Sequence, residues 1–209
     1  MTPSPKLSSR FEEALIYATR LHARQTRKRA STPYVAHLLS VTALVLESGG
    51  GEDEAIAALL HDAVEDQGGK KTLKEIQQRF GDEVANIVES CTDAYLFPKP
   101  PWRQRKESYI AHLLKASPEA RRVSLADKLH NARSILRDLR LEGEGTWDKF
   151  NGGKEGTLWY YRTLLDSFMS IDNNNFMVDE LERVVIEIEW LAKPTTDANA
   201  KGGPAAGAP

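Results

Sequence analysis

Four residues within positions 57–66, AALLHDAVED, could act on a metal or on a proton: His61, Asp62, Glu65 and Asp66. On a helix, residues four apart share a face, so His61 lies over Glu65 and Asp62 over Asp66. At roughly 100° per residue, the four fall within an arc of about 140°. Ala57, Leu59, Leu60, Ala63 and Val64 surround them, so this helix is expected to be buried. Three carboxylates and an imidazole on a buried face are costly unless compensated, and a bound cation is the compensation that fits. A solvated face would also carry such charges, but AIAALL before them and Ala63-Val64 between them argue against one. Glu65 and Asp66 are close like charges, so one of them can hold a proton at neutral pH, as general acid–base work requires.

A second stretch, VSLADKLHNARSIL, places Ser124, Asp127, Asn131 and Ser134 along one helical stripe. Val123, Leu125, Leu129, Ile135 and Leu136 supply its apolar side, and Arg121, Arg122, Lys128, Arg133 and Arg137 its expected solvent side. A narrow stripe of small polar groups between them reads as the lining of a pocket. A third element, TPYVAH, carries His37 just after the cluster Arg24, Arg27, Lys28 and Arg29. Those cations are the nearest in sequence that could offset the acidic group and hold a polyphosphate. His22, His112 and His130 receive no role. Imidazole and carboxylate donors without thiolates suit Mn²⁺ or Fe²⁺ better than a structural zinc.

These residues must be positioned by helices. Ser9 and Glu12 form a capping box that opens a first helix, which runs into the basic cluster ending near Ala30. Thr32-Pro33 caps a second helix over 33–47, closed by Gly49-Gly50-Gly51. The HDAVED helix follows and ends at Gly68-Gly69. Thr72 with Glu75 opens a short helix ending at Phe80-Gly81, and another spans 82–91. Positions 92–101, with three prolines, and 141–153 read as loops. Ser117-Pro118 starts a long helix to about Arg140, and two more cover 154–169 and 175–191. No stretch alternates as a strand does, and no repeat is present. The expected fold is all-α, a helical bundle of about eight to ten helices.

The 209 residues suit one domain: a loose arm over 1–8, the domain over 9–192 and a disordered tail over 193–209. A net charge of −2 speaks against a general nucleic-acid binder. Cys91 is the single cysteine, so no disulfide framework is expected. The N-terminus lacks a signal-peptide pattern and no apolar run has the length of a membrane span. The expected setting is cytoplasmic, without membrane or nucleic-acid partners. A homodimer is one open reading of the oligomeric state.

His37, His61-Asp62 and Asp127 together resemble the H…HD…D signature of HD phosphohydrolases. HDAVED, LADKLHNARSI, TPYVAH and FGDEVANIVESCTD resemble, in order and spacing, the RelA/SpoT-type alarmone hydrolases, the last segment most nearly the stand-alone small ones. The resemblance covers roughly residues 10–170. It implies an HD-domain fold and removal of pyrophosphate from the 3′ position of (p)ppGpp with one Mn²⁺. It implies His37, His61, Asp62 and Asp127 as metal ligands, with Glu65 and Asp66 activating or positioning water. It implies that Asn131 and Ser134 contact the nucleoside and that Lys28, Arg29 and Tyr34 form a wall near the nucleotide, with Arg27 beside them. Four positions depart from the family pattern. The basic pair reads Lys28 then Arg29 where Arg then Lys is usual, Ala30 stands for a small hydroxyl residue, and Leu38 stands for a proline. A guanidinium stacks on a base better than an ammonium, so adenosine alarmones such as (p)ppApp stay beside guanosine ones. The alternatives are another HD nucleotide phosphohydrolase, such as an NADPH 2′-phosphatase or a nucleotidase, and a non-catalytic HD binding module. Glu65-Asp66 and the Asp127-Asn131-Ser134 stripe weigh against the first, and the intact ligand set with the acidic pair weighs against the second.

Overall fold

The structure, a computed structural model, describes residues 6–28, 30–92, 100–172 and 175–193. Among the described residues the chain forms ten α-helices and one 3-10 helix, with a lone extended bridge between Thr26 and Pro33 and no strand. This is the all-α class expected from the sequence.

The first helix, α1 (Ser9–Leu21), is capped by Ser8, whose hydroxyl accepts from the Arg10 amide. The cap therefore lies one residue before the Ser9–Glu12 box. The Ser8 amide also donates to Glu52, tying the end of the expected arm to the start of α3 (Glu52–Leu60). Helix α1 stops before the basic cluster rather than running into it. Two backbone bonds instead draw the chain after α1 back on itself. The Arg27 amide reaches Thr32 O at 3.0 Å and the Tyr34 amide reaches Gln25 O at 3.0 Å. The Tyr34 carbonyl accepts the first helical bonds, from the His37 amide at 2.9 Å and the Leu38 amide at 3.5 Å, so Tyr34 is the N-cap and α2 (Val35–Glu47) begins two residues after Pro33.

Helix α3 is the core element, with Ala55 through Leu60 fully buried. It packs on α1, α2, α6 (Asp82–Cys91) and α8 (Pro118–Glu142). A helix apolar on all sides belongs inside. The single helix expected through HDAVED is interrupted: α3 ends at Leu60 and α4 (Ala63–Gln67) begins after His61-Asp62. In a continuous helix the Asp62 amide would bond to Ala58 O. That carbonyl instead meets His61 Nδ1 at 2.8 Å, and Asp62 relaxes to ψ −5°. Both residues keep right-handed backbone, so the chain advances without reversing.

Gly68 and Gly69 end α4 at φ 141° and 62°, conformations a side chain would strain. Helix α5 (Lys70–Phe80) starts two residues before the expected Thr72–Glu75 box. The Thr72 hydroxyl donates to Gln67 O at 3.1 Å and closes the turn instead of capping the helix. Most of the loop expected over 92–101, together with Arg29 and the tail beyond Lys193, lies outside the described residues.

After α7 (Trp102–Leu113), Ser117 caps α8 with Pro118 at its first position, as the sequence predicts. Helix α8 packs on α2, α3, α6 and α10 (Phe176–Leu191), and α7 packs on α9 (Gly153–Ile171). The loop expected over 141–153 is largely a 3-10 helix, Gly143–Lys149. Its composition hid two buried side chains, Thr146 and Trp147, and a lysine that reaches Asp138 at 2.9 Å and Glu142 at 2.6 Å. No described helix is long and apolar enough to cross a membrane.

Candidate metal centre

Three elements bring the expected ligands together. Helix α2 presents His37 from its first turn, the break between α3 and α4 presents His61 and Asp62, and the middle of α8 presents Asp127. His61 Nε2 lies 3.0 Å from Asp62 Oδ2 and 3.6 Å from Asp127 Oδ1. His37 Nε2 lies 3.2 Å from Asp127 Oδ1 and 3.5 Å from Asp62 Oδ2. His37, His61 and Asp127 place ligand atoms within 4.8 Å of one another, and all three residues are buried. Asp62 is half-buried beside both imidazoles. Despite these short distances, neither Nε2 atom is in hydrogen-bond alignment. Two buried ring nitrogens without hydrogen bonds, aimed at two carboxylates, fit a cation held by nitrogen and oxygen donors. The one cysteine stands apart, its thiol directed at Ala120 O and pushed up to about 12 by burial.

Each donor is itself held. His61 Nδ1 is at 2.8 Å from Ala58 O, so it carries the ring proton and leaves Nε2 as the ligating atom. His37 Nδ1 is 2.8 Å from His130 Nδ1. The Tyr34 hydroxyl donates to Asp62 Oδ2 at 2.6 Å. Asp127 takes Asn131 Nδ2 on Oδ1 at 2.5 Å and Lys128 Nζ on Oδ2 at 2.6 Å.

The charges agree with this geometry. Burial works against an imidazolium at His61, but Asp62 and Asp127 outweigh it and raise its pKa well above the ordinary value. Burial would raise Asp62, yet His61 and His37 hold it well below the usual carboxylate range. Asp127 is likewise held low against burial, first by Lys128 and then by the two histidines. The pocket thus attracts positive charge strongly, and a cation bound there would displace a proton from His61.

The acidic pair sits beside this group on α4. Asp66 Oδ2 accepts from Gln25 Nε2 at 2.7 Å. Gln25 Oε1 in turn takes Gln67 Nε2 at 2.6 Å and faces His22 Nδ1 at 2.7 Å. Partial burial, followed by the charge of Asp62, raises the Asp66 carboxyl above its ordinary value. Glu65 is half-buried on the same short helix.

The remaining expected residues separate into those that reach the centre and those that do not. Arg27 Nη2 donates to Asn131 Oδ1 at 2.7 Å, and its guanidinium lies 5.7 Å from the Tyr34 ring centroid. Lys28 and Arg24 are exposed on the same loop, and Arg29 falls outside the described residues. Ser134 donates to His130 O at 3.0 Å, so its hydroxyl proton is spent within α8. Ser124 is buried against the Tyr109 hydroxyl and does not line an opening. Lys128, expected on the solvent side, is largely buried: Asp127 and the Tyr109 ring, 4.6 Å from Nζ, compensate it. Its ammonium stays charged against burial because of Asp127. Gln25, Lys128 and His130 had no role in the sequence reading. Gln25 and His130 meet their partners through elements far apart in the chain, and Lys128 turns back on its neighbour Asp127; no local spacing encodes either.

An all-α chain with two histidines and two aspartates gathered from three elements defines a class. Residues 14–158 match the HD domain, and the chain belongs to the HD-domain family. Within it the chain is similar to guanosine-3′,5′-bis(diphosphate) 3′-pyrophosphohydrolase MESH1 of Xenopus tropicalis, 42% identical over 128 residues, 60% of this chain and 69% of that one. The Homo sapiens protein of the same name is 39% identical, with the same 60% and 69% coverage. A solved structure described as a metazoan ortholog of SpoT that hydrolyzes ppGpp matches with TM-score 0.71 at 28% identity, covering 87% of this chain and 97% of that one. The resemblance to small RelA/SpoT-type alarmone hydrolases, read from the motifs, holds.

Proposed function

We propose that this protein is a 3′-pyrophosphohydrolase of guanosine or adenosine alarmones. It would convert (p)ppGpp or (p)ppApp, with one water, to the 5′-(p)pp-nucleoside and pyrophosphate. The observation that carries the reading is the pair of buried Nε2 atoms of His37 and His61, unbonded and facing the carboxylates of Asp62 and Asp127. The relatives at this similarity are named for that reaction. The four residues would hold one Mn²⁺, which suits an imidazole–carboxylate set. When bound, the metal supplies Lewis-acid polarisation of a phosphoryl oxygen and a lowered pKa for water.

The chain's own groups do the rest. Asp66, with Glu65, takes the proton from the attacking water as the bond between phosphorus and the 3′ oxygen breaks, and the acidic pair returns that proton to the departing 3′ oxygen. Gln25 holds the carboxylate of Asp66 in place. Arg27, with Tyr34 and the exposed Lys28, offers positive charge and a wall to the nucleotide; Arg29, Asn131 and Ser134 belong to the same binding set. The nucleotide is the proposed partner, with neither nucleic acid nor membrane involved, and the proposed location is the cytoplasm.

The test is a product assay with Mn²⁺ over ppGpp, pppGpp, ppApp, NADPH, dNTPs, GTP and ATP. The expected result is pyrophosphate from the 3′-pyrophosphorylated nucleotides alone, with GTP and ATP inert. Cleavage of ordinary NTPs with ppGpp and ppApp untouched would overturn the reading.

A further inference from the structure

We infer that His130 is a positioning residue: its Nδ1 accepts a hydrogen bond from His37 Nδ1 and thereby aims the His37 Nε2 lone pair at the proposed cation. The inference rests on the metal-site reading above. The two Nδ1 atoms are 2.8 Å apart, close enough for a hydrogen bond, and such a bond needs one hydrogen between them. If His130 donated it, a neutral His37 would carry its proton on Nε2. That atom faces Asp127 Oδ1 at 3.2 Å and Asp62 Oδ2 at 3.5 Å, where a proton would exclude a metal. A ligating His37 must therefore carry the hydrogen on Nδ1, and His130 must accept it.

The two histidines of the centre differ in how this is done. His61 gives its Nδ1 hydrogen to the backbone carbonyl of Ala58, which no side-chain substitution removes. His37 depends on a side chain from α8, four residues before Ser134 and three after Asp127. Among the described residues, His130 is the hydrogen-bond partner of His37 Nδ1, and the rings lie 4.8 Å apart at 46°. His130 is itself outside the group of buried donors that could hold the ion. It therefore acts through His37. The ring N–H of a ligating histidine that does not face the metal usually donates to a carboxylate, a carbonyl or water; here the acceptor is a second imidazole, a side chain that substitution can remove.

The test uses the full-length protein and Mn²⁺ itself. Dissociation constants for Mn²⁺ are measured by competition with a chelating indicator for wild type, His130→Asn, His130→Gln and His130→Phe. The melting temperature of each in EDTA serves as a control on folding. Asn keeps an acceptor where Nδ1 stands, Gln moves its amide outward to where Nε2 stands, and Phe keeps the ring without an acceptor. Asn should stay within about threefold of wild type, while Gln and Phe weaken Mn²⁺ by about 10- to 100-fold at unchanged metal-free melting temperature. Wild-type affinity in Gln and Phe overturns the inference. So does a raised KM for ppGpp at unchanged Mn²⁺ affinity, which would make His130 a substrate contact. If Phe fails to fold, the Asn–Gln pair decides alone. A wild-type protein that binds no Mn²⁺ overturns the inference and the metal reading together, an outcome separate from variants that bind as wild type does.

Discussion

Asn131 joins Arg27, a proposed substrate contact, to Asp127, a proposed metal ligand. Its Nδ2 donates to Asp127 and its Oδ1 accepts from Arg27, so its amide is committed on both sides. A role in reading the nucleoside was the expectation from sequence. The geometry adds a second consequence: Asn131→Ala should raise KM and also weaken Mn²⁺, because it frees both Arg27 and Asp127. Unchanged metal affinity in a calorimetric titration would contradict that coupling. Glu65→Gln and Asp66→Asn should instead retain the metal while kcat falls by about tenfold or more, the scale of general base catalysis. Wild-type turnover in both would contradict it. Gln25 gives this a pH signature. Its amide donates to Asp66 and favours the ionised form, opposing burial and Asp62. Gln25→Ala removes that donor, so Asp66 should ionise at higher pH and the acid limb of kcat/KM should move upward. An unmoved limb would take Asp66 out of the rate-limiting proton transfer. At this scale His61, Asp62 and Asp127, which the structure brings together, stood out by type and spacing, and His37 stood out with help from the resemblance. Their supports, Gln25, Lys128 and His130, were not, since each acts on a residue fixed by tertiary contact or by side-chain orientation.

At the scale of elements, the site depends on interruptions. The break at His61-Asp62 diverts Ala58 O to the imidazole, and it was hidden in the sequence because HDAVED has no glycine or proline to mark it. The first helix was likewise expected to run into the basic cluster ending near Ala30, whose residues carry reasonable helix propensity; the cross-loop bonds of the Arg27 and Tyr34 amides decided otherwise. Signals with their own local chemistry survived, as at Ser117-Pro118 and Gly68-Gly69. Glu54 ties the start of helix α3 to α8. Its buried carboxylate accepts from the Gly51 amide at 2.6 Å and from Arg122 on α8 at 2.8 Å. Glu54→Ala leaves both donors short of a partner and should cost about 1–3 kcal/mol of stability. Chemical denaturation checks this, and an unchanged midpoint would show that Glu54 does not couple α3 to α8.

At the scale of the molecule, the helical class followed from apolar periodicity and the absence of strand alternation. The layout around α3 and α8 did not, because periodicity names a buried face without naming its neighbour. The whole arrangement has one chemical outcome. It gathers His37, His61, Asp62 and Asp127 from positions 90 residues apart at the extremes into a buried, cation-attracting group. The account therefore turns on whether that group holds the metal on which turnover depends. The most direct measurement is metal content by elemental analysis alongside ppGpp turnover, on wild type and Asp127→Ala after equal exposure to Mn²⁺. One equivalent of Mn²⁺ and pyrophosphate release in wild type, with both lost in Asp127→Ala, is the expected result. Full metal content in Asp127→Ala would contradict the account.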